Sequence, residues 1–157
     1  LKDSIVMDIR KIRDALESFD KSDFHYKTSF YMCLDGFPSG CCGDTSNLLG
    51  LFLKNAYGKD SMYISGKGLG NNREKSHAWL LCDGYIIDIT ADQFNSIGYN
   101  LDNVIVSTSS DFHESFSRID KHEINYDSLC NTPISNVLHK VNERIRNLTP
   151  AIFPKHS

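Results

Sequence analysis

The run HAWLLCDGYIIDIT, residues 77 to 90, constrains the fold more than any other stretch of this sequence. Two β-rich segments flank Asp83-Gly84. An Asp-Gly pair between such segments is the strongest short-range signal for a β-hairpin. A tight loop there pairs Cys82 with Tyr85, and the register continues to Leu81 with Ile86, Trp79 with Asp88 and His77 with Thr90. Side chains alternate along a strand, so His77, Trp79, Leu81, Ile86, Asp88 and Thr90 share one face. Ala78, Leu80, Cys82, Tyr85, Ile87 and Ile89 form the other, which is nearly all apolar. His77 and Asp88 become diagonal neighbours, roughly 7–8 Å apart at the backbone and within side-chain reach.

Around this hairpin the periodicity predicts helices and further strands. Ile5, Ile9, Ile12, Leu16 and Phe19 mark a helix over 5–19, with Ser4 as its N-cap. Residues 20 to 40 have no period and contain Gly36, Pro38 and Gly40, which predicts a loop. A second helix runs from Cys42 to about Ala56, with Gly58 as its stop. It is apolar over much of its circumference, as a central, buried helix would be. Strands are expected at 61–65 and 103–108 besides the hairpin, and a polar stretch without a period fills 109–130. The last helix is capped by Thr132, has Pro133 in its first turn, and carries Ile134, Val137, Leu138, Val141, Ile145 and Leu148 on its apolar face. SGKGLGNNREK, residues 65 to 75, reads as a mobile loop that ends at His77 and holds Lys67, Arg73 and Lys75 on its rim. It lacks the glycine at 61 and the Ser or Thr at 68 that a phosphate-binding loop requires. The tail FPKHS is expected to fray. The whole is an α+β fold, read as a single domain over 1–157.

Charge narrows the function classes. The formal net charge is −3, with both signs mixed along the chain. No basic stripe fits nucleic acid, no basic amphipathic segment fits a membrane surface, and no apolar run is long enough to span one. The opening LKDSIVMDIR is not a signal peptide, and a chain starting at Leu1 reads as a domain cut from a longer one. Cysteines 33, 41, 42, 82 and 130 are odd in number and form no CxxC pair. That argues against a disulfide framework or a zinc ribbon, and for a reducing compartment such as the cytoplasm. His25, His113, His122, His139 and His156 show no ligand spacing and read as surface residues. Neither a metal nor a cofactor is expected.

The chemistry gathers around SGCCGDTSNLL, residues 39 to 49, where two cysteines adjoin at a helix start. Free N–H groups and the partial positive charge of a helix N-terminus stabilise a thiolate. A catalytic thiol also needs a base, and the base needs a third group to fix its tautomer. His77 and Asp88 meet that need on the hairpin face. Asp44, in the first helical turn, reads as a structural residue that holds the preceding segment. Cys33, Cys82 and Cys130 read as core or half-buried thiols.

These residues resemble a known family. GCCGDTSNLL is similar to the core helix of transglutaminase-like cysteine enzymes, G-x-C-x-D-x-[AS]-x-L-L, with Gly40, Cys42, Asp44, Ser46, Leu48 and Leu49 in register. SHAWLL resembles the family's H-A-W strand through His77, Ala78 and Trp79, and IIDIT its D-x-T strand through Asp88 and Thr90. The resemblance spans residues 37 to 94, a little over a third of the chain. It implies a papain-like fold, with Cys42 as nucleophile, His77 as base and Asp88 as its orienting group. Cys41 then takes a variable position and reads as packing.

Gly43 stands where many relatives carry a larger residue, which predicts an open wall beside the thiol. Trp79 is expected to line the cleft and Thr90 to sit behind the site. The oxyanion donors would be the Cys42 N–H and a group from 33 to 39. The implied activity is a thiol-dependent hydrolase, of protease or deamidase type, opening an amide or isopeptide carbonyl of a protein or peptide substrate through a thioester. The alternatives are an acyltransferase or cross-linking enzyme using the same residues, and a catalytically silent binding module. Nothing resembles the calcium sites of large cross-linking transglutaminases.

Overall fold

The computed structural model describes residues 1–148, except for the Leu148 side chain. The fraying expected of the tail, the surface reading of His156 and the packing of Leu148 lie outside the described residues. The chain is a mixed α+β fold built on a five-stranded antiparallel sheet. In chain order the elements are α1 (Asp3–Ser18), α2 (Ser29–Met32), α3 (Cys42–Tyr57), β1 (Met62–Leu69), β2 (Lys75–Cys82), β3 (Tyr85–Asp88), β4 (Ile105–Ser107), α4 (Asp111–Glu114), β5 (Arg118–Glu123), α5 (Tyr126–Leu129) and α6 (Pro133–Leu148). Short 3-10 segments, Lys21–Asp23 and Ala91–Ile97, follow α1 and β3. The strand order is β4-β3-β2-β1-β5. Among the described residues no helix is long and apolar enough to cross a membrane.

The hairpin has the expected loop and register. Asp83 and Gly84 both take positive φ, 52° and 80°, as a two-residue turn that follows the strand twist requires. Cys82 pairs with Tyr85, Leu81 with Ile86 and Leu80 with Ile87. The ladder stops there, because β3 ends at Asp88 and the chain turns away at Thr90.

Each face of the hairpin meets its own core. Leu80, Cys82, Ile87 and Ile89 pack against Ile5, Ile9, Ile12 and Leu16 of α1, Leu48, Leu49, Leu51 and Leu53 of α3, and Val137, Leu138 and Val141 of α6. The opposite face is also covered. Trp79 joins Ile64, Leu69, Ala91, Phe94, Phe112 and Phe116 in a second, largely aromatic cluster. The face that carries His77 and Asp88 is therefore roofed rather than open.

Several boundaries differ from expectation. Ser4 lies inside α1, whose cap position is Lys2 with no side-chain bond. The expected loop over 20–40 contains α2 and a 3-10 turn. Most of 65–75 is strand, since β1 runs to Leu69 and β2 begins at Lys75, leaving only 70–74 as a loop. β5 lies within the polar stretch 109–130; five of its six residues are exposed, so no apolar alternation marks it. Cys130 is exposed rather than half-buried.

Gly66 of β1 pairs with His77 and has the aromatic roof against it. A Cβ at this position would stand 2.7 Å from Phe116 and 2.8 Å from Trp79. Gly66→Ala should lower stability by about 1–3 kcal/mol through overpacking, seen as an earlier urea midpoint at an unchanged slope. An unshifted midpoint would show a roof loose enough to yield.

Candidate functional site

Asp88, the last residue of β3, is 2% exposed. A buried carboxylate must have its lone pairs met, and here both oxygens are engaged. Oδ1 accepts from the Thr90 N–H at 2.8 Å and from the Thr90 hydroxyl at 3.3 Å. Oδ2 lies 2.6 Å from His77 Nε2 and 2.8 Å from His113 Nε2. Burial by itself pushes the carboxyl pKa up. The His77 charge and the bonds from both imidazoles outweigh it and hold the group well below the usual carboxylate range.

His77 enters from β2 and is also 2% exposed. Its ring stands edge-on to Phe94 at 5.1 Å and lies 5.8 Å from Trp79. Burial pulls its pKa down. The charge and hydrogen bond of Asp88, with a further contribution from Cys42, reverse this and raise it to about 9. The Cys42 thiol lies near enough to this imidazole to add to that rise. With Nε2 held by Asp88, Nδ1 is the nitrogen left for the thiol. Gln93 Nε2 lies 3.5 Å from Nδ1, and its Oε1 accepts from the Gly40 N–H at 3.3 Å.

Cys42 is the first residue of α3 and is half-buried, whereas Cys41 is fully buried. The Cys41 thiol donates to the Ser39 carbonyl at 3.3 Å. Burial, only partly relieved by a bond to Ser29, pushes its pKa up to about 12. Cys41 therefore stays a thiol. The N–H groups of Cys42, Gly43 and Asp44 have no hydrogen-bond partner among the described residues. Asp44 accepts from the N–H and the hydroxyl of Ser29, both at 2.7 Å, and so ties α3 to the segment before it.

The structure brings Cys42, His77 and Asp88 together and sets Thr90 against Asp88. It also corrects three readings. Trp79 is 4% exposed and packs behind the imidazole instead of lining an open cleft. The space beside Gly43 is taken by Tyr63 of β1, whose hydroxyl would lie 3.1 Å from an added Cβ. His113 is 2% exposed rather than on the surface. Tyr63, Gln93 and His113 are the site residues the sequence reading missed. Gln93, three residues after Thr90, had a helical-turn spacing that could have flagged it. His113 had no signal, because its link to Asp88 joins elements 25 residues apart.

Two clefts are lined in part by residues of this neighbourhood. One, about 220 Å³, is lined by Ser39, Lys75, Ser76, Gln93, Phe94 and Ile97 among others. The other, about 330 Å³, includes Asn47, Tyr63, His122 and Asn125. His77, Asp88 and His113 also place three ligand-type atoms within 4.8 Å of one another. Two of those spacings, 2.6 and 2.8 Å, are direct hydrogen bonds. They are tighter than the roughly 3 Å or more that separates ligands around a shared metal at about 2.1 Å. The cluster fits a proton-linked network better than a metal centre.

The two opposed shifts fix how stability depends on pH. Asp88, lowered on folding, stabilises the fold fully above ~4, and that share fades as pH falls further. His77, raised on folding, stabilises fully below ~6.5, and its share fades as pH rises to about 9. Urea unfolding across pH should show the cost of Asp88→Asn to be greatest between ~4 and ~6.5. A cost independent of pH would contradict the ionised pair.

Compared with known proteins, the chain matches no family model, and no curated protein and no solved structure matches it.

Proposed function

We propose that this chain is a thiol-dependent hydrolase of the papain-like, transglutaminase-like kind, acting on an amide or isopeptide carbonyl of a protein or peptide. One observation carries the reading: the buried His77 imidazole, bonded through Nε2 to a buried carboxylate, lies near a half-buried thiol at a helix start. The three groups supply nucleophile, base and orienting acid in the arrangement that covalent catalysis requires.

In this reading Cys42 attacks as the thiolate, its proton having passed to His77 Nδ1. The carbonyl carbon becomes tetrahedral and its oxygen takes the negative charge. The N–H groups at the start of α3, which bond to no described residue, can take up such a charge, and the Cys42 N–H is the first donor. Tyr63 is the second. Its hydroxyl lies against Gly43 and bonds to no described residue, and burial, with the charges of Cys42 and Asp44, raises its pKa. It therefore stays protonated and able to donate. The imidazolium next gives its proton to the departing amine, and the carbon–nitrogen bond breaks to leave a Cys42 thioester. Water, relieved of a proton by His77, attacks the thioester and releases the acid with the free thiol. Asp88 keeps the imidazole in the tautomer that both transfers use.

Alkylation by iodoacetamide, followed for each cysteine by peptide mass spectrometry, tests the nucleophile. Cys42 should react fastest at mildly acidic pH, and His77→Ala should abolish that advantage. A Cys42 no faster than exposed Cys130 would sink the reading.

Incubation with glutamine-bearing and lysine-isopeptide peptides should give free acid, with an acyl-enzyme visible by intact mass and missing in Cys42→Ala. Appearance of amine conjugates instead would assign acyl transfer. With a substrate in hand, Tyr63→Phe should lower kcat by roughly 100-fold with little change in KM. Equal turnover would remove Tyr63 from the oxyanion site.

A further inference from the structure

His113 reaches the site from α4, a helix of only four residues. Its Nε2 lies 2.8 Å from Asp88 Oδ2, the same oxygen that lies 2.6 Å from His77 Nε2. One carboxylate oxygen has two lone pairs, and here each faces an imidazole nitrogen. Both nitrogens must then carry hydrogen, since a bare Nε2 against a carboxylate oxygen would set lone pair on lone pair. This puts hydrogen on Nε2 of His113 as well as of His77. The far side of His113 is also held: Nδ1 lies 2.6 Å from the Ser110 hydroxyl, and the Ser110 oxygen caps α4 by accepting the His113 N–H. Trp79 stands edge-on to the His113 ring at 4.6 Å, and the aromatic cluster keeps water from the pair.

The placement matters because Thr90 restrains only Oδ1 of Asp88. Without a second donor on Oδ2, the carboxylate could rotate and take its hydrogen bond to His77 with it. We propose that His113 is a positioning residue of this site. It pins Asp88 Oδ2 so that His77 keeps its Nε2–H toward the acid and its Nδ1 toward Cys42. The working unit is then a chain of five side chains, Ser110, His113, Asp88, His77 and Cys42. The proposal rests on the thiol reading above and adds a residue that the family resemblance does not supply.

The test compares Cys42 alkylation rates in the wild type, His77→Ala, His113→Leu and His113→Gln. It also reads the ring tautomers of the wild type by long-range 1H–15N NMR. His113→Leu should slow Cys42 roughly 10- to 100-fold, the worth of one hydrogen bond to a charged group. His113→Gln, whose amide can donate to the same oxygen, should recover most of the rate. A residue that only fills space would be replaced better by Leu than by Gln, so the order of the two variants separates the roles. The NMR should show hydrogen on His113 Nε2.

Three results would overturn the proposal: Cys42 in His113→Leu within twofold of wild type while His77→Ala is slow, hydrogen on His113 Nδ1 with Nε2 bare, or stoichiometric zinc in the purified protein bound through that nitrogen. If His113→Leu does not fold, the wild-type tautomer decides alone. A wild-type Cys42 without enhanced reactivity is a separate outcome; it defeats the thiol reading, and this proposal with it.

Discussion

An ionised carboxylate deep in a protein is tolerable only where donors replace the water it has lost. Asp88 is that group here, and much of the molecule is arranged to satisfy it. Its donors come from β2, from the residue that turns the chain out of β3, and from a short helix beyond β4. The roof of Trp79, Phe94, Phe112 and Phe116 keeps solvent from competing for the same bonds. A second buried charge secures the adjoining segment. Arg13 of α1, 4% exposed, donates to the Ile89 carbonyl at 2.6 Å and grips both oxygens of Asp92 at 2.7 and 2.8 Å. The stretch 89–92 is thus held by Asp88 on one side and by α1 on the other. Gln93, beside the imidazole, inherits its position from that clamp.

The sequence made some of this legible and hid the rest, for physical reasons. Asp83-Gly84 fixes a turn type, the turn fixes the register, and the register brings His77 and Asp88 together with no reference to the rest of the chain. Local rules of this kind transfer well from sequence. The central helix was equally plain, because Cys42 to Tyr57 is apolar on most sides and ends at a glycine with φ 65°. His113 was hidden because its partner is set by the packing of α4 over the sheet, which no spacing along the chain records. Tyr63 was visible as a strand residue, but its closeness to Gly43 depends on how α3 crosses β1. Trp79 was misplaced for a related reason. Sharing a face with His77 predicts a cleft wall, whereas that face carries its own aromatic roof.

The adjoining cysteines show how sharply a helix start separates neighbours. Cys41 is the last residue before α3, with its thiol turned into the core and bonded to a carbonyl. Cys42 is the first helical residue, half-buried, near the imidazole and the N–H groups that bond to no described residue. Moving one position along the chain changes the thiol's surroundings from apolar packing to a polar, partly open site.

β5 escaped notice because Arg118, Lys121, His122 and Glu123 are exposed and give the strand no apolar stripe. Those same residues have a second consequence. β5 is one margin of the sheet, and its outer backbone groups are a template on which another extended chain could assemble. Charged side chains along such a margin, including the Arg118–Asp120 ion pair at 3.1 Å, oppose that assembly. The polarity that conceals the strand in the sequence thereby guards the protein against edge-to-edge aggregation.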